Sequence, residues 1–448
     1  MLDKFLFKLI DNSGLVVFRM VFGLLITLEA WGAIATGWVR KVLVQPEFTF
    51  SFIGFEWLQP LPGNGMYYYF AVMGIFGLLV MLGYKYRFAI LGYTLLWAGV
   101  YFMQKESYNN HYYLMLLLLF LMNFLPAHRR LSLDAKFNPK VKSDSMPWWC
   151  NHIMVAQVFI VYTFASIAKL YPDWLDATAP AIFMSGKADY WLIGNFLQQN
   201  WVHWVMAYTG IFFDLLIVPL LLWRKTRMLG FCISIFFHLF NSVVFQIGIF
   251  PYMSIAFALF FFTPKTIRKR FLPKENYYDK GEIIVPKYKK SLIVLFSIYF
   301  IIQIGLPLRH WFIEDNVLWT EEGHRLSWRM MLRSKRGSIT VKVVDKNTGQ
   351  EERIDIYTKL TSKQRTSLAT KPDFIWQYAQ RLKKEYAEQG KDIAVYVNAR
   401  VSINHRPMYE FIDSSVDIAN EKWSFFKHHD WILPTPEELK IGVKKGRN

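Results

Sequence analysis

The sequence predicts a polytopic, all-α transmembrane bundle of about nine helices followed by an extracytoplasmic α+β, β-rich domain. Three observations carry that prediction. The 448-residue chain is 53% hydrophobic and 18% aromatic, with a positive mean hydropathy of +0.18, too apolar for a soluble chain of this length. The apolar residues gather into separate stretches as far as about residue 310, after which the composition turns charged. Basic residues concentrate in alternate loops. Residues 1–310 are accordingly expected to form the membrane domain and residues 311–448 the external one.

In order, the apolar stretches run roughly 15–36, 66–83, 88–103, 111–125, 153–170, 203–222, 228–247, 249–263 and 291–308. Several fall below the roughly 20 residues that cross about 30 Å of hydrocarbon, so short, tilted or polar-extended spans are expected. The first contains Arg19 and precedes Ala33-Ile34-Ala35, which weakly mimics a signal-peptide cleavage site. The charge within the run, and the spans that follow, make it a retained first helix.

With the N-terminus cytoplasmic, the inner loops hold Lys4 and Lys8, Lys85 and Arg87, Arg129, Arg130, Lys136, Lys140 and Lys142, Arg224, Lys225 and Arg227, and the basic run Lys265 to Lys290. The outer loops hold only Arg40, Lys41, Lys105 and Lys187. This positive-inside bias assigns the formal net charge of +18 to orientation and anionic lipid in preference to nucleic acid. The two cysteines, Cys150 and Cys232, form no CxxC pair, which argues against thiol redox chemistry and a disulfide framework. Few cysteines and a retained first helix fit a bacterial cytoplasmic membrane.

Beyond Trp311, Ser338 to Asp345 alternates in the manner of a strand, Asn347-Thr348-Gly349 supplies a turn, and Glu351 to Tyr357 returns as the second arm of a hairpin. Asp373 to Gln389 places Ile375, Tyr378, Leu382 and Tyr386 at helical spacing and stops at Gly390; Val395 to Ile403 reads as a further strand. This region carries no motif for metal, nucleotide or nucleophilic catalysis, and no metal is expected.

Within the membrane domain, Lys169 closes the otherwise apolar run Val155 to Leu170. A lysine drawn into a bilayer costs about 2.5–3.5 kcal/mol on insertion scales. It must therefore snorkel, pair with an anion, or release its proton and become a base. Alternation of the spans puts Asn109, Asn110 and His111 at the outer end of the fourth span, Lys169 at the outer end of the fifth, and His238 and Asn241, one helical turn apart, in the central to outer part of the seventh. The seventh and eighth spans are joined by a few residues around Gly248. Four elements distant in sequence thus bring polar groups to one depth, and ionisable groups inside membranes mark pathways or sites.

Each residue also has a structural reading. Lys169 lies beside an interfacial belt, Tyr171-Pro172-Asp173-Trp174, to which a lysine can snorkel. His111 and Asn110 stand where caps or headgroup contacts are made. His238 and Asn241 can join helices by hydrogen bonds. Asp214 in the sixth span and Arg19 in the first read as a structural charge pair or as ends reaching water. In the catalytic reading, a desolvated and neutral lysine accepts a proton from a weakly acidic hydroxyl such as a phenol, while His and Asn donate to the oxyanion. A lipid-soluble phenol entering sideways suits the location. The P-loop, Rossmann, HExxH and GxSxG patterns are all missing.

At these residues the chain resembles the vitamin K-dependent γ-glutamyl carboxylase family with its horizontally transferred transmembrane (HTTM) domain. The matching stretches are FRMVFG (Phe18–Gly23), YNNHYYL (Tyr108–Leu114), QVFIVYTFASIAKLYPDW (Gln157–Trp174), FHLFNSVVFQIGIFPY (Phe237–Tyr252), SWRMML (Ser327–Leu332), VSINHR (Val401–Arg406) and VDIANEKWSFF (Val416–Phe426). They occur in the family's order along nearly the whole chain.

The resemblance implies an enzyme that uses reduced vitamin K, O2 and CO2, with a peptide or protein glutamate as substrate. Lys169 falls on the family's catalytic lysine, which takes a proton from the hydroquinone. Oxygenation then yields a strongly basic alkoxide that removes a γ-proton, and the carbanion captures CO2, leaving vitamin K epoxide. His111 falls on the functional histidine, beside Asn110. His238 and Asn241 match the FHxxN segment, and Trp328, Met330 and Met331 match a segment near the quinone pocket. The chain departs from the animal enzymes at Leu326, where they have tyrosine, and at Ala168, where they have a second lysine. It also has no cysteine pair for their disulfide, and it stops soon after Trp431, short of their C-terminal extension. These departures bear on the protein substrate more than on the quinone chemistry. Two other readings remain open: a quinone epoxidase without peptide carboxylation, and a non-catalytic quinone- or lipid-binding membrane protein or transporter.

Overall fold

The computed structural model describes residues 1–440; residues 441–448, the end of the expected second domain, lie outside the described residues. Every apolar stretch is helical: α1 (Ser13–Ala35), α2 (Gly65–Leu82), α3 (Tyr86–Met103), α4 (Asn110–Met122), α5 (Trp149–Ile167), α6 (Asn200–Leu222), α7 (Arg227–Phe245), α8 (Phe250–Phe260) and α9 (Lys289–Leu308). Among the described residues, six helices are long and apolar enough to cross a membrane. A seventh is added if α8 and Pro264–Phe271, bent by 119° at their break, count as one span. Length and composition therefore support six or seven spans and do not carry the expected nine. Arg87, three tyrosines and a tryptophan dilute α3. Helix α4, at 13 residues, reaches only about 20 Å at 1.5 Å per residue.

The helix ends segregate as the charge pattern predicts. At one end, strand β1 (Leu9–Asp11) pairs antiparallel with β2 (Ser145–Pro147), joining the chain before α1 to the chain before α5. The fully buried Arg130 there bridges Asp11 and Glu275, and Lys289 pairs with Asp3. Asp134 accepts the backbone N–H groups of Lys85 and Tyr86 and so caps α3. Arg19 also points to this end, donating to the carbonyls of Ala127 and Leu131. Its expected pairing with Asp214 is therefore corrected: backbone carbonyls at the basic end satisfy the guanidinium. Helices α1 and α2 pack at the closest approach the backbone permits. A Cβ on Gly23 would lie 2.4 Å from the Met81 nitrogen, and one on Gly77 2.7 Å from Thr27 Oγ1.

The second domain sits on the opposite end. Its antiparallel sheet has the order β4-β3-β5-β6, with β3 (Lys335–Asp345) paired along its length to β5 (Ile393–Ile403), β4 at Glu351–Arg353 and β6 at Tyr409–Glu410. The predicted hairpin forms, although its second arm ends at Arg353 and Ile356–Lys359 is a helical turn. Helices α10 (Ser362–Thr370) and α11 (Pro372–Ala387) cover one face, burying Phe374, Tyr378 and Leu382 against Val341, Val395, Val397 and Val401. Phe48 and Phe50, from the loop between α1 and α2, join this second core.

Buried ion pairs dock the domain. Asp373, at the start of α11, lies 2.6 Å from Lys105 and 2.7 Å from Arg325. Burial alone would raise the Asp373 carboxyl, but Arg325 and Lys105 bring it down to about 2. Asp173, just beyond α5, accepts both guanidinium nitrogens of Arg406 and the Asn404 amide at 2.6 Å. The second domain is thereby clamped over the ends of α4 and α5.

Candidate functional site

Helix α5 ends because Pro172 disfavours helical backbone at Tyr171 and opens a new short helix, Pro172–Leu175. Lys169 sits in the turn between them, 8% exposed, and its side chain folds back along α5. The Lys169 Nζ donates to the Ala165 carbonyl at 3.1 Å and to Asp214 Oδ2, from α6, at 2.5 Å. Trp174 covers the pair, with its ring 5.5 Å from the ammonium and its indole N–H donating to the Ala207 carbonyl. Gly210 makes room for this: a Cβ there would meet Trp174 at 3.3 Å and Lys169 Cε at 3.6 Å. Of the three fates open to the lysine, pairing with an anion is the one observed. The amine is shielded but not isolated.

On the same face of α5, two turns earlier, the Tyr162 hydroxyl lies 2.9 Å from His238 Nε2 of α7. Phe213 and Phe237 stack beside them with centroids 3.7 Å apart. Phe250, at the start of α8, is 5.0 Å from the His111 ring and 6.1 Å from the His238 ring, so the two imidazoles flank one phenyl group. Both histidines keep a buried Nδ1 that has no hydrogen-bond partner among the described residues. Asn241, a turn beyond His238, is half-buried and lies outside this hydrogen-bonded pair.

The cap of α4 is Asn109, which accepts the Tyr112 N–H; Asn110 instead donates to the Arg329 carbonyl and accepts from the Tyr108 hydroxyl. The capping role considered for Asn110 thus belongs to its neighbour. Tyr108 also accepts the Leu326 N–H at 2.7 Å. The segment so anchored carries three non-glycine residues with positive φ: Leu326, Trp328 and Met331. Trp328 is fully buried and stacks on Tyr113 at 4.9 Å. Met330 packs on the bundle core, Met331 is exposed, and Leu332 packs with Ala168 and Trp174 beside Lys169. One strained segment therefore bridges the start of α4 and the end of α5.

A cavity of about 490 Å³ is lined by His111, Tyr112, Glu29, Phe250 and Met253. Glu29, in α1, is the acidic group of this lining. A second cavity, of about 470 Å³, lies where the domains meet and is lined by Ala168, Leu170, Tyr171 and Arg329. Lys169 is absent from both linings. Among the described residues, no group of three or more His, Cys, Asp or Glu side chains is placed to hold a metal ion.

Sequence reasoning missed Tyr162 and Glu29 altogether and gave Asp214 the wrong partner. The signal for Asp214 was a lone carboxylate in a long apolar helix. Its depth matched Lys169 only once the lysine was seen to reach back a turn along α5.

Residues 7–265 match the family model of the HTTM domain, and residues 288–438 match that of the vitamin K-dependent gamma-carboxylase lumenal domain. No solved structure matches the chain.

Proposed function

The chain belongs to the vitamin K-dependent gamma-carboxylase family, and from that premise we propose an integral membrane enzyme that couples oxygenation of reduced vitamin K to carboxylation of glutamate side chains by CO2. The observation that carries this reading is the water-shielded Lys169–Asp214 pair. Two opposite charges buried together have lost most of their hydration, so the ion pair competes with its neutral form, amine beside carboxylic acid. Asp214 would thus hold the lysine proton and leave a free amine between the two cavities, or return it after turnover.

The two orphaned imidazole nitrogens and the aromatic ring between them suit a flat, oxygen-bearing ligand. His111 and His238 would donate to its oxygens, Tyr162 would orient His238, and Asn110 and Trp328 would hold the segment that places Met330 and Met331 nearby. Asn241 would line the approach. Reduced vitamin K, with O2, supplies the strong base that an amine cannot be. The family acts on glutamate-containing substrates, and the second domain would present the peptide.

In this reading residues 1–310 form the catalytic membrane domain and 311–448 the extracytoplasmic one, in a bacterial inner membrane with the N-terminus cytoplasmic. Collection of the basic loops at the end opposite the second domain supports that orientation.

The test is incubation of the purified protein with reduced vitamin K, O2, labelled bicarbonate and a glutamyl peptide. Epoxide together with label fixed in the peptide is expected. Epoxide without fixed label would reduce the enzyme to an epoxidase, and neither product would end the catalytic reading.

A further inference from the structure

Among the described residues, Arg329 is a buried cation without a paired anion. It is 8% exposed and lines the cavity of about 470 Å³ between the domains. Its Nη1 donates to His310 Nε2 at 3.2 Å, a nitrogen left as acceptor because His310 Nδ1–H donates to the Pro307 carbonyl. Its Nε is buried and, among the described residues, has no hydrogen-bond partner.

The surrounding acids are engaged elsewhere. Glu321 is taken by Arg333 and by Lys335, 3.4 Å away. Asp173 is clamped by Arg406 and Asn404. Asp315 is held by the backbone N–H groups of Asn316 and Thr435. Among the described residues no carboxylate pairs with Arg329. An uncompensated buried charge is costly, several kcal/mol in real proteins, and it persists where a ligand supplies the counter-ion.

The rest of the cavity narrows the class of ligand. Its volume is in the range of small-molecule pockets and far exceeds what a bicarbonate ion needs. Leu170 and Trp311 stand exposed at its edge, as flanking residues of a peptide would require. Ala168 and Leu170, on either side of Lys169, form part of its wall.

We propose that this cavity receives the side-chain carboxylate of an acidic peptide, with Arg329 as the residue that selects glutamate over its neutral isostere. The choice of a glutamyl peptide rests on the function proposed above; the need for an anion does not.

The test is fluorescence anisotropy with full-length protein in lipid nanodiscs, without quinone. The probes are a labelled hexapeptide bearing one central glutamate and its glutamine counterpart. The glutamyl probe should bind about tenfold or more tightly, as expected for a desolvated charge-assisted contact. R329Q should erase that preference while binding the glutamine probe as wild type does, and R329K, which keeps the charge but loses the planar fork, should fall between. Should R329Q not fold, phenylglyoxal labelling of the wild type gives the same answer: the glutamyl probe, and not the glutaminyl one, should protect Arg329. Equal binding of the two probes, a preference that survives in R329Q, unprotected labelling, or displacement by bicarbonate alone would each overturn the proposal. Because no turnover is read, glutamyl selectivity without epoxide formation would sink only the proposed function. Full carboxylation with an indifferent Arg329 would sink only this assignment.

Discussion

Lys169 Nζ lies 2.5 Å from Asp214 Oδ2, on helices α5 and α6, with both residues less than a tenth exposed. Each partner has exchanged most of its hydration for the opposite charge of the other. Their coexistence in one dry contact makes the position of a single proton, and not the charge of an isolated amine, the quantity that governs any base chemistry here.

Breaking this pair from one side leaves a buried charge. K169A and D214N are each expected to cost about 3–5 kcal/mol of stability and to abolish or nearly abolish epoxide formation. The double replacement K169M/D214L removes both charges at similar volume and should recover most of the lost stability while staying inactive. Thermal unfolding in detergent, alongside an epoxide assay, separates the two effects. Full activity in D214N would remove Asp214 from the mechanism, and a double variant no more stable than the singles would show that the groups are not coupled.

The histidines should respond unequally. Y162F removes the one hydrogen bond that the His238 ring makes among the described residues and leaves the imidazole free to rotate, a loss of about 0.5–1.5 kcal/mol and so up to about tenfold in turnover. H111A removes a proposed donor to developing negative charge, for which losses of about 100-fold or more are usual. Since Asn109 caps α4, H111A should leave the melting temperature nearly unchanged. Wild-type turnover in H111A, or a collapse of its stability, would return His111 to a structural role.

Much of this was legible in the residues, and the failures share a cause. Helical stretches, the hairpin and the long strand pair announced themselves through periodicity, because burial of one face imposes it locally. Which polar groups meet is decided by helix rotation and side-chain reach. Lys169 folds back by one turn and so meets Asp214, an acid that the sequence reading left either to Arg19 or to water. The span count is supported only to six or seven, because α3 is diluted by polar and aromatic residues and α4 is short. The docking of Phe48 and Phe50 into the second core has no local signature at all.

Docking of the second domain should depend on pH through Glu106, in the loop between α3 and α4. Burial raises its carboxyl to about 7, against the opposing pull of the Phe50 N–H and Lys363. A folded-state value above the unfolded one means that the native state binds the extra proton. The stabilisation is therefore complete below about pH 4.5 and is lost as pH rises through about 7. The stability of wild-type protein relative to E106Q should be greater at pH 5 than at pH 8, by an amount within about 3 kcal/mol, so that the pH slopes of the two proteins differ in that direction. A pH slope unchanged in E106Q would assign the effect to another group.

Orientation is decided by which helix ends share a compartment. The residue pairs Asp11–Arg130, Arg130–Glu275 and Asp3–Lys289 hold the chain before α1, after α4 and between α8 and α9 at one end, while Asp173–Arg406 and Lys105–Asp373 hold the second domain at the other. A single cysteine placed at Lys280, in a background lacking Cys150 and Cys232, should therefore be shielded from a membrane-impermeant maleimide added outside intact cells, and one at Lys187 should label. The positive-inside bias predicts the direction, with the Lys280 end expected to face the cytoplasm. Labelling at Lys280 with protection at Lys187 would invert the protein, and labelling at both positions would break the assignment of these loops to opposite sides.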